Sequence, residues 1–264
     1  MGIWMFGTLK ELFEYRSMIF NLTRREIRGR YKGSFLGFFW NFIVPLIQIL
    51  VYIVVFTMVF RSGIENYPIY LISGMIFWIL FSDSLVDGSA IMVMNSDMLK
   101  KIYFPRSVLT ISIVLSKVVN CLIMIMLFFI VAGFMNYGVS LEALLFLPII
   151  IVISFFFILG IVLVLSALDV YLRDVQYLIS VALMAWVWMS PIMYAAEFIE
   201  NETLRSLLGY NPITYFANVY HDILYWKVIP DYFDLAVCVL LSVVTMIIGC
   251  LVFKKLEKDF AEVL

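Results

Sequence analysis

Long apolar runs broken by short polar patches dominate this chain. Six runs stand out, at residues 36–60, 69–94, 108–135, 144–168, 177–194 and 233–253. A helix needs about 20 apolar residues to cross a bilayer, and these runs approach or exceed that length. Strands of a membrane barrel would alternate polar and apolar positions, and these runs do not. The pattern predicts an all-α polytopic membrane protein, with six transmembrane helices between residues 35 and 264.

Two stretches depart from that pattern. Residues 1–34 mix Leu9, Leu12, Phe13, Ile19 and Phe20 with Lys10, Glu11, Glu14 and Arg16. This spacing predicts an amphipathic helix lying on the inner membrane surface. Thr23, with Glu26 three residues on, is a capping-box pattern and predicts a short helix starting there. Residues 195–231 are the second departure. They carry Glu197, Glu200, Glu202, Asp222 and Asp231 beside the semi-apolar run NPITYFANVYHDILYW. That run is too short and too polar to span, so it predicts one or two external re-entrant half-helices, tolerated where protein or water surrounds them.

Charge placement sets the orientation. The chain has 18 Lys and Arg. Only Arg61, Arg205 and Lys227 fall on one side of the predicted spans, and Lys117 falls within one. The rest cluster on the other side, densest at Arg24, Arg25, Arg28, Arg30 and Lys32. Such clusters mark the cytoplasmic side, which places both termini inside, with a cytoplasmic tail at 254–264. Composition agrees: 64% hydrophobic and 14% charged residues, with a mean hydropathy of +1.05, exclude a soluble domain. The net charge of -1 is uninformative about partners, and no nucleic acid is expected.

Signs of enzyme chemistry are weak. The sequence holds no phosphate-binding GxxxxGK[ST] loop, no HExxH and no nucleophile elbow. Cys121, Cys238 and Cys250 lie in apolar runs without metal spacing and read as small core residues. Neither a catalytic residue nor a metal site is expected. His221, the single histidine, sits beside Asp222 and reads as a surface residue that touches nothing. Three charges lie within apolar runs: Asp83, Asp87 and Lys117. Charges in a bilayer are costly alone, so Lys117 is expected to pair with Asp83, at matching depth in a helical hairpin, or with Asp87 one turn away.

The polar break 95–107 is the best cytoplasmic protrusion. Asn95 or Ser96 can cap a short helix, with Asp97 in its first turn, Lys100 and Lys101 in its last, and Pro105 to stop it. Tyr103 and Phe104 would bring apolar surface into a polar setting, which suits a contact site; re-entry into the membrane interface is the alternative.

The motifs RYKGSFLGFFWNFIVPL, NSDMLKKIYFPRSVL, LRDVQY, SPIMY and NPITYFANVY are collinear over nearly the whole chain. Together they resemble the membrane subunit of type-2 ATP-binding-cassette exporters of polysaccharides, the permeases for O antigen, teichoic acid or capsule. The resemblance implies a homodimer in the bacterial cytoplasmic membrane. It implies two copies of a separate ATPase that holds ATP and Mg, and a glycan on an undecaprenyl pyrophosphate carrier. It implies that KKIYFPR docks in the ATPase, with Leu99, Ile102, Tyr103 and Phe104 as buried anchors and Lys100, Lys101 and Arg106 as polar rim. Under this reading Arg24, Arg25, Arg28 and Arg30 receive the pyrophosphate or, more plainly, attract anionic lipid. Aromatic residues are 17% of the chain. Phe38, Phe39, Trp40, Phe42, Trp186 and Trp188 are candidates to stack on sugars or, equally, to pack helices. Two other readings compete: an exporter of the same fold for a small lipid or drug, and a membrane-embedded glycan or acyl transferase.

Overall fold

Helix is the regular structure of the described residues, which in this computed structural model are 14–29, 35, 37–56, 63–195 and 201–260. The predicted amphipathic stretch before residue 14, Arg30, Lys32, Arg61, Glu197, Glu200 and the side chains of Phe38, Asn41 and Arg205 lie outside this description.

The first helix, α1 (Arg16–Gly29), runs through Thr23 rather than starting there. The capping-box expectation fails because the Thr23 hydroxyl is used elsewhere: it donates to the Ser112 carbonyl at 3.3 Å. The Ser112 hydroxyl, which donates to the Val108 carbonyl at 2.7 Å, also lies 3.4 Å from the Ile19 carbonyl. These bonds, with buried Leu22, lay α1 across the start of α6.

After a 3-10 turn at Gly37–Phe39, α2 (Trp40–Val54) is followed by α3 (Tyr67–Ser89), α4 (Ile91–Met94), α5 (Ser96–Lys101) and α6 (Ser107–Phe134). Then come α7 (Leu141–Leu144), α8 (Leu147–Tyr171), α9 (Val175–Trp186), α10 (Glu202–Gly209), α11 (Pro212–His221) and α12 (Tyr232–Leu256). Four helical segments among the described residues are long and apolar enough to cross a membrane: Tyr67–Ser89, Ser107–Phe134, Leu141–Tyr171 and Tyr232–Asp259.

Among the described residues, two predicted spans are shorter as helices. At about 1.5 Å per residue, the 15 residues of α2 and the 12 of α9 fall short of a hydrocarbon core of about 30 Å. The fifth run was expected to stay helical to Tyr194, yet α9 stops at Trp186. Asn211 explains the stop. Its Nδ2 donates to the Met189 carbonyl at 2.8 Å and to Ser190 Oγ at 2.9 Å. The indole of Trp186 donates to Asn211 Oδ1 at 3.1 Å. Irregular backbone is tolerated at membrane depth where protein satisfies it, and one asparagine does much of that here.

The core is built on α3, which is buried along most of its length between α2, α6, α8, α9 and α11. Phe77, Phe216 and Phe157 stack through it, with ring centroids 4.7 and 4.6 Å apart. The tightest helix pair is α8 with α12. A Cβ on Gly160 would lie 2.4 Å from the Thr245 carbonyl carbon, and one on Gly249 would lie 2.3 Å from the Gly160 oxygen. The two backbones therefore touch, as small residues permit between membrane helices. Ser242 and Thr245 fasten the seam by donating to the carbonyls of Ile153 (2.9 Å) and Phe157 (3.2 Å). Cys121 and Cys238 are buried as expected of core residues, whereas Cys250 is exposed.

Candidate functional site

The basic end of the molecule carries most of the unusual chemistry. A cavity of about 440 Å³ opens there, lined by Arg25, Glu26, Asp87, Asn95, Ser116, Lys117 and Asn120, with Ile27, Ile91 and Ile113 among its apolar walls. Three elements build it: α1, the junction of α3 and α4, and α6. Its volume falls in the range of pockets that hold small ligands, about 300–1,000 Å³.

Lys117 is the buried charge of this cavity. Its side chain is 2% exposed, it bonds to Asp87 Oδ2, and its Nζ lies 4.0 Å from Asp83 Oδ2. Asp83 and Asp87 are one turn apart on α3, so both face α6 on one side of the helix. The two carboxylates are more open, at 38% and 40% exposed. A buried ammonium thus leans on two carboxylates, of which Asp87 lines the cavity. Arg25 joins the same space, its guanidinium donating to Glu26 Oε1 at 3.0 Å and to Asn95 Oδ1 at 2.6 Å. Arg24 and Arg28 are exposed and are not among the lining residues. The structure therefore joins Arg25 to the intramembrane charges and leaves its neighbours at the surface.

The loop after α4 departs from expectation in two ways. Asn95 takes the N-cap position of α5, but its side chain makes no cap bond there. Its side chain instead donates to the Ile91 carbonyl at 2.9 Å and accepts from Arg25. Phe104 is not an outward anchor: it is 6% exposed and belongs to the core of this chain. An apolar ring beside a helix start finds its own protein first, a choice that spacing alone does not reveal. Leu99 is half-buried against the same core, while Lys100 and Lys101 are exposed and Pro105 is half-buried. Ile102 is 55% exposed and Tyr103 is 98% exposed, so the outward apolar surface is these two side chains. Arg106 lies with its guanidinium carbon 5.3 Å from the centroid of the Phe260 ring.

The aromatic candidates are not gathered in one place. Phe39 is exposed and Trp40 and Phe42 are half-buried at the start of α2. Trp186 and Trp188 sit at the opposite end, where Trp188 stacks on Phe56 at 6.4 Å, just past the end of α2. Trp186 meets Phe81 edge-on at 5.7 Å, which gives it a packing role within the chain.

The far end is closed by side chains bonded to backbone. Tyr67 donates to the Met193 carbonyl (2.9 Å), Tyr70 to Tyr194 (3.1 Å) and Tyr225 to Glu65 (2.7 Å). His221 corrects the sequence reading outright. It is 3% exposed, stacks flat on Tyr70 with centroids 4.1 Å apart, and its Nδ1 lies 2.7 Å from Ser73 Oγ. Ser73 Oγ also donates to the Tyr70 carbonyl at 2.7 Å, so it joins the imidazole to the backbone of α3. Gly74 permits this approach: a Cβ there would stand 2.8 Å from the imidazole. Nearby, burial raises the Asp222 carboxyl to about 6; the backbone N–H of Asp231 opposes the rise, and the charges of Asp234 and Asp231 add to it.

Sequence reasoning named Asn95 only as a cap and missed Asn120, Asn211 and the tyrosine seal. Asn211 carried a local signal, as the residue before Pro212 and a natural N-cap, which it is: its side chain accepts from Ile213 N at 3.0 Å.

Comparison with known proteins gives the family. Residues 18–225 match the ABC-2 type transporter family. The chain is 33% identical over 259 residues to the O-antigen export system permease protein RfbA of Myxococcus xanthus, covering 98% of this chain and 99% of that protein. It is 28% identical over 266 residues to a protein of the same name from Klebsiella pneumoniae, covering 100% of both. A second such protein from Klebsiella pneumoniae is 30% identical over 206 residues, or 77% of this chain and 78% of that protein. With its apolar helices, its lack of a nucleotide-binding loop and a family match across most of its length, this chain belongs to the ABC-2 type transporter family.

Proposed function

We propose that this chain is the membrane-spanning permease subunit of an ATP-driven exporter that carries a polysaccharide out of the cytoplasm. The observation that carries this reading is the end-to-end similarity to an O-antigen export permease, across 98% of this chain and 99% of that protein. In this reading two copies of the chain work with two copies of a separate ATPase in the bacterial cytoplasmic membrane. ATP and Mg are held by that ATPase. The glycan travels on an undecaprenyl pyrophosphate carrier, both termini are cytoplasmic, and α10 and α11 form the external re-entrant segment.

The basic end is then the loading side. Arg25 stands in the mouth of the cavity, where its guanidinium fork suits phosphate oxygens. Arg24 and Arg28, exposed beside it, attract anionic head groups more generally, at about 1 kcal/mol per charge. The exposed pair Ile102 and Tyr103 is the docking surface for the ATPase, with Lys100 and Lys101 as its rim. Phe104 holds the loop from behind.

The transferase reading loses support from the geometry. His221 lies at the far end, buried against Tyr70 and Ser73, whereas Asp83 and Asp87 flank Lys117 near the basic end. An acid–base pair must share reach of one reacting group, and these residues do not.

The test is co-purification of the chain with the ATPase from the same cells. The expected result is a stable complex whose ATP hydrolysis is stimulated by lipid-linked glycan, and whose assembly weakens by roughly 2 kcal/mol when Tyr103 is changed to Ala. A chain that purifies without any ATPase, or a complex indifferent to glycan, would overturn the reading.

A further inference from the structure

The loop that follows α4 is held at its two ends and, between them, by Phe104, which is buried in the core. None of the described residues of α5 is buried, and the tip at Ile102 and Tyr103 faces outward. At its start, Asn95 accepts from Arg25 at 2.6 Å, which ties the loop to α1. At its end, Arg106 lies over the ring of Phe260 at 5.3 Å, which ties it to the segment after α12.

Phe260 is well placed to carry load. It is 0% exposed and meets Phe253 of α12 edge-on at 5.8 Å and Tyr171, at the end of α8, at 6.1 Å. The Tyr171 hydroxyl donates to the Leu256 carbonyl at 2.8 Å, pinning the last turn of α12 to the last turn of α8. Those two helices are sealed backbone to backbone at Gly160 and Gly249. Arg106 over Phe260 thus joins the loop to one tightly packed unit, α8 with α12, beside the packing of α4 and α6 on α8.

We propose that Phe260 is a positioning residue for energy coupling: it passes movement of the 95–106 loop through Arg106 to the α8–α12 pair. The inference rests on the reading of that loop as the ATPase docking surface. The residue type matters, because a cation is attracted to the face of an aromatic ring and not to an aliphatic side chain of similar bulk. Leu at this position would fill the space and let the Arg106 side chain go.

The experiment measures ATP hydrolysed and glycan exported in the same vesicles, containing the full chain and its ATPase. Phe260→Leu is expected to assemble and hydrolyse ATP as the wild type does, while glycan exported per ATP falls about fivefold. Phe260→Tyr, which keeps the ring, restores the ratio. Arg106→Lys, which keeps a cation over the ring, should hold the ratio near that of the wild type. Unchanged export per ATP in Phe260→Leu would overturn the proposal. An equal loss in the Leu and Tyr variants would also overturn it, since that outcome reports packing alone. A wild-type complex that hydrolyses ATP without exporting glycan would instead overturn the export reading, and the role of the tail with it.

Discussion

The two ends of this protein solve opposite problems. The far end is closed by neutral bonds: tyrosine hydroxyls on carbonyls, Asn211 across an unwound stretch, and a histidine stacked flat on a tyrosine. The basic end is open and charged, with a cavity, a buried lysine and an apolar loop tip in full exposure. A seal built from many modest hydrogen bonds, each worth about 1 kcal/mol net, can be released in parts. Charges in a cavity resist closure unless something polar occupies it. The difference suits a permease loaded from the basic side and sealed on the other.

The largest expected effect probes the seal. Gly74→Val adds a branched side chain where even a Cβ would meet His221 at 2.8 Å and the Ile192 carbonyl at 3.0 Å. Overpacking of this kind typically costs about 1–3 kcal/mol, and the backbone carbonyl cannot yield, so a loss near about 3 kcal/mol is expected in thermal unfolding. Gly29→Ala at the basic end has nothing within 4 Å of the new Cβ and should be neutral or slightly stabilising. Equal effects at both glycines would erase the contrast between the ends.

That contrast was only partly legible in the sequence. Of the six apolar runs, four became helices long enough to span, and the crowding of Arg and Lys announced the basic end. Lys117 was legible as a residue in need of a carboxylate because an isolated charge in lipid is so unfavourable. The seal was not legible, because tyrosine and asparagine are equally at home in a loop, an interface or a core. His221 looked like a surface residue beside Asp222. Only the tertiary approach of α11 to Gly74 and Tyr70 buries it. Phe104 shows the same limit: an aromatic in a polar loop can face a partner or its own core, and local pattern does not decide.

A second substitution pair sharpens the charged end. Asp87→Asn takes from buried Lys117 its nearer carboxylate and leaves Asp83 at 4.0 Å, whereas Lys117→Met leaves carboxylates that are already 38–40% exposed. Removing the partner of a buried charge costs more than removing the buried charge itself. Asp87→Asn should therefore lower stability by about 2 kcal/mol, a figure reduced by the remaining carboxylate, and Lys117→Met by less. The double variant should recover part of the loss of Asp87→Asn, as read from midpoints of thermal unfolding. Additive losses would mean the two side chains are not coupled.

Smaller effects test single bonds of the seal. Tyr70→Phe removes the hydroxyl that reaches the Tyr194 carbonyl at 3.1 Å and keeps the ring under His221. It should cost about 1 kcal/mol and speed hydrogen exchange in residues 190–195 without changing exchange in α1. The smallest effect belongs to Asp222. Its carboxyl titrates near 6 in the folded protein, above its ordinary value of 3.8, because burial disfavours the charge. The folded state thus holds its proton more tightly, and stability falls as pH rises from about 4 through about 6. Asp222→Asn should remove that slope and make unfolding midpoints at pH 5 and pH 7 more alike. A slope unchanged in the variant would assign it to another group.

The central claim is that this chain moves a polysaccharide from its basic side, driven by an ATPase docked on the exposed loop tip. Its most direct test is transport in inside-out vesicles carrying the chain and its ATPase, supplied with labelled lipid-linked glycan. The account predicts glycan accumulation that requires both ATP and the ATPase. It also predicts that Tyr103→Ala abolishes most of that accumulation while leaving the thermal unfolding of the permease unchanged. Accumulation without ATP, or full transport by Tyr103→Ala, would contradict it.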